Sequence, residues 1–340
     1  MTFRAAVVGA GQIGRSHLAA YQSCAEVELV AVCDLLRDRA DAAAAEFGGK
    51  AYTSIAAMAA AERLDAVSVC TAGAQNGSHH FAPVMQCLEC GWHVLCEKPL
   101  SNHLTEARTM VNHAAKLGLC LGTDLNHRFT PQAELARRWV AEGRLGAILM
   151  SNVTLWIDNP NDRSEWVHLR ALHPHSLDVM RYFCGRAVKV QAFVNHGPRT
   201  DGEPGLRVCW SNCQVNVLFE SGALGHLTGS YDANMKLNLE RCEVLGDKGR
   251  FVIDNCFERL TFYPRHGEEI TVVPNPLFGG MAGFEGTIER RVKRWCAQLA
   301  AGAKLDEVEG SGAEGLAVQE IIEGAIESWE TGCVVDLENG

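Results

Sequence analysis

The chain has 340 residues and a formal net charge of −10, enough length for two domains with separate cores and no basic field to draw a nucleic-acid backbone. No apolar run reaches the roughly eighteen residues that would span a membrane as a helix. An apolar strand begins within a few residues of Met1, which leaves no room for a signal peptide and sets the expectation of a cytoplasmic protein.

The first apolar run, Ala5-Ala6-Val7-Val8, reads as a short buried parallel strand, and Gln12 to about Tyr21 as the helix after it. Between them lies Gly9-x-Gly11-x-x-Gly14. So tight a turn needs a residue without Cβ, the second glycine lets backbone approach a pyrophosphate, and the third lets helix pack on strand. The helix opening, at Gln12 and Ile13, offers unpaired N–H groups to phosphates. About twenty residues further on, the apolar run Glu28 to Cys33 ends in Asp34. A carboxylate there accepts the hydroxyls of an adenosine ribose and repels a 2′-phosphate. NAD is therefore the expected cofactor, with Arg37 and Arg39 keeping NADP open.

Strand and helix patterns keep alternating: helix Arg39 to Phe47, strand Ala51-Tyr52, helix Ile55 to Glu62, strand Ala66 to Cys70, helix Ser78 to Cys90, strand Val94 to Cys96, helix Thr105 to Leu117 and strand Leu119 to Thr123. That order implies an α/β domain over residues 1–124 with a doubly wound parallel sheet, a Rossmann arrangement whose ligand crevice lies beyond the carboxyl ends of the strands. Glu97-Lys98-Pro99 follows such an end directly, so topology places it at the crevice. There the ammonium of Lys98 would meet whatever the cofactor reacts with.

From about residue 125 to 340 the pattern changes. Helices over Gln132 to Glu142 and His175 to Phe183 precede period-two runs at Val188 to Val194, Gln214 to Phe219, Ala223 to Tyr231, Arg241 to Leu245, Arg250 to Ile253 and Leu260 to Tyr263. Glu220-Ser221-Gly222 and Gly246-Asp247-Lys248-Gly249 read as hairpin turns. The expectation is an α+β domain with an open, mostly antiparallel sheet, and with helices Phe284 to Ala300 and Gly315 to Glu330 returning toward the first domain. A sheet covered on one face only needs a partner on the other, which points to a homodimer or homotetramer through the sheet. The fourteen cysteines are scattered, many in apolar strands, and read as reduced core residues. Cys87-x-x-Cys90 has no second ligand pair, and Cys209 and Cys213 make no better case, so no metal is expected.

Taken in order, Gly9-x-Gly11-x-x-Gly14, Cys33-Asp34, Glu97-Lys98-Pro99-Leu100, Asn126-x-Arg128-Phe129-x-Pro131, Gly143-x-Leu145-Gly146, His175-x-x-Asp178 and Gly246-x-x-Gly249 resemble the Gfo/Idh/MocA oxidoreductases across essentially the whole chain. The resemblance implies a Rossmann domain, a C-terminal α+β domain used for oligomers, and a tightly held nicotinamide cofactor. It also implies substrates among sugars, cyclitols and their derivatives, oxidised at a secondary alcohol or reduced at the ketone. The family's lysine beside substrate and nicotinamide falls on Lys98, and its acid/base histidine on His175. Gly9, Gly11, Gln12, Ile13, Gly14, Asp34, Thr71, Ala72, His79, Glu97, Lys98 and Asn126 are the cofactor candidates.

The chemistry agrees with that transfer. Taking hydride from a secondary alcohol requires a group to remove the hydroxyl proton and a cation to stabilise the developing alkoxide. Lys98 suits the second task, and His175 is the natural base near neutral pH. The chain departs from the family in two places. Many relatives that oxidise polyols carry an acid four residues before the histidine, where this chain has Ala171; His173 or Asp178 would have to compensate. The loop Thr71 to His79 lacks the usual proline and is longer, with Asn76 and His79 left to reach the cofactor and His80 expected on a helix surface. Substrate candidates are Lys98, Asn126, Arg128, Trp156, Asp158, His168, Arg170, His175 and Tyr231, polar groups and aromatics that suit a polyhydroxylated ring. The two arginines keep acidic sugars open. The leading reading is an NAD(P)-dependent dehydrogenase or reductase on such a small molecule. The alternatives are a glycosidase or lyase that oxidises its substrate transiently and a dinucleotide-sensing protein without catalysis.

Overall fold

Strand β1 (Phe3–Val8) sends alternate side chains into two cores, Ala6 and Val8 to one and Ala5 and Val7 to the other. A parallel strand buried on both faces has to be apolar throughout, which is why this run shows no alternation. The molecule was analysed as a computed structural model that describes residues 2–71, 79–233, 239–256, 258–267, 269–275 and 284–337. After β1 come α1 (Gln12–Gln22), β2 (Val27–Cys33), α2 (Arg37–Phe47), β3 (Lys50–Tyr52), α3 (Ile55–Ala61), β4 (Ala66–Val69), α4 (Phe81–Glu89), β5 (His93–Cys96), α5 (Leu104–Leu117) and β6 (Leu121–Thr123). The six strands form a parallel sheet in the order β3-β2-β1-β4-β5-β6. Strand order reverses between β1 and β4, where such sheets bind ligands.

The second stretch contains α6 (Pro131–Ala141), β7 (Ile148–Trp156), one turn of π-helix (His168–Leu172), α7 (His173–Cys184), β8 (Ala187–Asn195), β9 (Asn212–Phe219), β10 (Leu224–Ser230), β11 (Glu240–Gly246), β12 (Gly249–Asp254), β13 (Arg259–Pro264) and β14 (Thr271–Pro274). The chain ends with α8 (Phe284–Ala300), α9 (Gly312–Thr331) and β15 (Val335–Asp336). A nine-stranded sheet runs β14-β13-β12-β11-β7-β10-β9-β8-β15, antiparallel except where β7 meets β10. Period two is plain here: Cys213, Val215 and Val217 of β9 and Gly225, Leu227 and Gly229 of β10 are buried, while Gln214, Asn216, His226 and Thr228 lie on the open face. Helix α7 packs on β7, β10 and β11.

The chain divides into two units, Met1–Asn126 with Phe284–Leu316, and His127–Gly283 with Ala317–Gly340. Residues 125–340 therefore do not stay together. Ile288, Val292, Trp295 and Cys296 of α8 fill a core with Leu18 and Tyr21 of α1. Arg291, fully buried on the same helix, donates from Nε to the Thr123 carbonyl at 3.1 Å and from Nη2 to Gly310 at 3.0 Å. Strand β7, absent from the period-two runs read in the sequence, is central to its sheet.

The glycine turn depends on Gly14, where a Cβ would collide with the carbonyl oxygen of Gly9. Gly14→Ala must push α1 off the turn. The expected loss is about 1–3 kcal/mol, read as a lower urea midpoint; an unchanged midpoint would mean the turn opens at no cost.

Candidate functional site

In the first unit the glycine turn presses on the end of β4. Gly9 has φ +94, and a Cβ there would sit 2.7 Å from the Cys70 carbonyl carbon and oxygen. Gly11 begins α1 with no side chain over its free N–H groups, and Gln12 and Ile13 form the exposed first turn. Asp34 is held rigidly: Oδ2 accepts from the Ala10 amide at 2.8 Å and Oδ1 from the Leu36 amide at 2.9 Å. A cavity of about 730 Å³ runs past Gly9, Gly11, Asp34, Arg39, Thr71 and His79. Arg37 is turned to Asp41 at 2.9 Å. Thr71 Oγ1 donates to the His79 carbonyl at 2.9 Å, while Ala72 and Asn76 lie outside the described residues. The room left by the glycines, the free helix N-terminus and the fixed carboxylate at the cavity wall all fit an adenine dinucleotide.

Behind the Glu97-Lys98-Pro99 segment lies a buried triad. His17 Nε2 is 3.2 Å from Glu97 Oε1 and 3.1 Å from Asp124 Oδ2, and its Nδ1 meets Ser68 Oγ at 3.0 Å. Burial opposes a charge on His17, but Cys70, Asp124 and Glu97 outweigh it and raise its pKa well above the ordinary value. Burial would raise Glu97 as well, yet the hydrogen bond and charge of His17 hold it at about 2. Burial and the Glu97 charge push Asp124 up to about 6. Glu97 Oε2 also accepts from the Lys98 amide at 3.2 Å, and the Lys98–Pro99 peptide is cis. His80 corrects the sequence reading. Because α4 starts only at Phe81, His80 turns inward, is buried, and Nδ1 donates to the Pro99 carbonyl at 2.7 Å. Burial lowers its pKa, consistent with a neutral ring. Asn126 is buried, with Nδ2 donating to Thr287 Oγ1 at 2.8 Å.

In the second unit His175 is buried on α7 with the His127 ring stacked on it, centroids 4.3 Å apart at 11°. His127 Nδ1 pairs with Glu240 Oε1 at 3.0 Å, and Ser176 Oγ donates to Glu240 Oε2 at 3.1 Å. A carboxylate from β11 thus reaches the surroundings of His175 through a second ring. Asp178 has another duty, a double hydrogen bond with the buried Arg128. Arg170 is likewise engaged, with Glu323 at 2.8 and 2.6 Å. His168, His173 and Tyr231 are buried together, the His168 and Tyr231 rings 4.4 Å apart. Trp156 ends β7 beside a cavity of about 420 Å³, and the exposed Asp158 bridges to Asp232. Sequence reasoning missed His17, His127, Glu240 and the partnership of Cys213 with histidine. Only the placement of His17 three residues after Gly14, on the face of α1 that packs inward, carried any signal.

Residues 3–125 match the profile described as "Oxidoreductase family, NAD-binding Rossmann fold", and residues 133–252 that of the "GFO/IDH/MocA C-terminal domain". Over 300 residues, 83% of this chain and 87% of the relative, the sequence is 32% identical to 1,5-anhydro-D-fructose reductase of Ensifer adhaerens. The chain belongs to the Gfo/Idh/MocA family. Among other Gfo/Idh/MocA proteins it is 28% identical to myo-inositol 2-dehydrogenase of Thermotoga maritima over 75% of this chain and 76% of that one. Its fold matches levoglucosan dehydrogenase, solved with NADH and L-sorbose, at TM-score 0.87 and 21% identity, covering 100% of each chain. As a Gfo/Idh/MocA member it is an NAD-dependent oxidoreductase, and the first unit is its NAD-binding domain.

The triad makes a prediction about pH. His17→Ala leaves two buried carboxylates without their cation and should cost about 3–5 kcal/mol near pH 8. In the native protein a raised His17 pKa favours the fold below its unfolded value, while Asp124 gains a proton near 6. Both raised groups add stability as pH falls, and below about 6.5 the His17 contribution is complete because the unfolded chain is protonated there too. In the variant the two carboxylates face each other without a cation, which raises one of them and makes the fold take up a proton on acidification, so from about pH 6.5 to 5 its melting temperature should draw closer to the native one. A gap that is constant with pH would show that the triad carries no net charge coupling.

Proposed function

We propose that the protein transfers hydride between NAD and a secondary alcohol or ketone of a sugar, cyclitol or sugar derivative. NAD supplies the hydride acceptor or donor. Lys98 stabilises the charge that develops on the substrate oxygen, and His175 takes or returns the hydroxyl proton. The observation that carries this reading is how firmly the Lys98 backbone is held. The carboxylate of Glu97 is bonded to His17 and to the Lys98 amide, and the Pro99 carbonyl to His80. A backbone held this firmly narrows the positions the Lys98 ammonium can reach when substrate binds. The reductase and the inositol dehydrogenase among the relatives support the substrate class. For His175, Glu240 orients the His127 ring that lies flat against it, a support that stands in for the acid missing at Ala171.

The carboxylate partners of Arg128 and Arg170 favour neutral hydroxyl substrates over acidic ones. Asn126 and Tyr231 remain substrate-side candidates, together with Trp156 and Asp158, whereas His168 is fully buried against His173. The open sheet face, with Met150, Phe193 and Leu224 exposed on the sheet, supports assembly with a second copy. Fourteen free thiols fit a reducing, cytoplasmic setting.

Lys98→Met should leave NADH affinity within a few-fold while lowering kcat by about two orders of magnitude or more, measured with a panel of sugars and cyclitols at the reduced-nicotinamide band. Near-normal turnover would remove Lys98 from the mechanism. Asp34→Ala should weaken NAD binding more than NADP binding in fluorescence titrations, and the reverse ranking would dismiss the ribose role of Asp34.

A further inference from the structure

In the second unit three metal-ligating side chains from separate elements converge in the core: His168 from the π-turn, His173 at the start of α7 and Cys213 on β9. All three are buried, and their ligand atoms lie within 4.8 Å of one another. His173 Nε2 is 3.1 Å from His168 Nε2 and 3.5 Å from Cys213 Sγ. A tetrahedral zinc ion with Zn–N of about 2.05 Å and Zn–S of about 2.3 Å separates its nitrogen ligands by about 3.3 Å and nitrogen from sulfur by about 3.5 Å. The two contacts made by His173 already have that spacing, and His168 and Cys213 lie within 4.8 Å of one another.

Two further features prepare it. Ser176 Oγ donates to Glu240 and meets His173 Nδ1 at 3.4 Å, so the Ser176 oxygen is left to accept from Nδ1–H and the Nε2 lone pair faces the other two ligands. This is the outer hydrogen bond that sets a metal-binding tautomer. Position 229, paired with Cys213 across the sheet, is glycine; a Cβ there would strike His173 Nε2 and come within 3.1 Å of Cys213 Sγ. Burial, aided for His168 by the charge of Arg207 against an opposing Trp210 backbone hydrogen bond, holds both imidazoles well below their ordinary pKa. Neutral rings are what a cation needs.

We propose that His168, His173 and Cys213 bind one zinc-type divalent cation through two imidazole nitrogens and a thiolate, clamping the π-turn and the start of α7 to β9. The Cys213 thiol gives up its proton when the metal binds, and the His168 proton moves to its other ring nitrogen, so one proton leaves per ion. The ion needs no electron donor or acceptor. The assignment does not depend on the substrate class proposed above.

The test uses tag-free, full-length protein dialysed against a chelator and titrated with Co(II). The expected result is one Co(II) per chain, with a near-ultraviolet sulfur-to-cobalt charge-transfer band and the visible bands of an ion held by the three side chains and one water. Zn(II) should displace it, and the melting temperature should rise with either metal. Cys213→Ser should lose the charge-transfer band. A native protein without that band, or a band that survives in Cys213→Ser, would overturn the assignment; the first readout needs no variant to fold.

Discussion

The first unit depends on a charge buried where a protein can least easily hold one. His17 stands on the helix that follows the glycine turn, Glu97 at the end of β5 and Asp124 just past β6, so one imidazolium ties three elements together at the carboxyl end of the sheet. Two carboxylates this close would repel strongly in a dry interior, and the cation between them makes their approach tolerable. Moving the imidazolium leaves two buried carboxylates without a cation, and moving either carboxylate takes away one of its two partners. The positions of α1, of the Glu97-Lys98-Pro99 segment and of the chain leaving β6 are therefore coupled, and with them the wall of the dinucleotide cavity.

The second unit meets the same problem differently. Its polar core is built largely from aromatic rings: His127 against His175, His168 against His173 and Tyr231, with Glu240 accepting from His127 and Ser176. Ring contacts and hydrogen bonds to Glu240 hold these groups together. The arginines beside them, Arg128 and Arg170, are each answered by a carboxylate. Small residues make the density possible, since β10 offers Gly225 and Gly229 to the helix side and a side chain at either would strike α7.

Much of this was legible beforehand. The parallel sheet announced itself through short apolar runs punctuated by glycine, and the cofactor through the glycine turn with Asp34 at the end of the next strand. The limits of α8, Phe284–Ala300, were read correctly from its periodicity, and the core strands of the second sheet to within a residue or two. Strand β7 escaped because Ile148–Trp156 mixes polar residues into a strand whose partners come from far along the chain. His80 was misplaced because a helix start displaced by three residues reverses the direction of the side chain before it.

The sequence by itself determined the class of fold, the dinucleotide turn and the place of Glu97-Lys98-Pro99 at the end of β5, because each rests on local physics: strand and helix periods, the sterics of glycine, and a short motif after a strand end. Tertiary structure alone decided which charges meet. His17 with Glu97 and Asp124, His127 with Glu240, and Cys213 with His173 join residues 40 to 113 positions apart. No local preference encodes such pairs. They are selected only when strands and helices pack and each buried polar group must find a partner or pay for its desolvation.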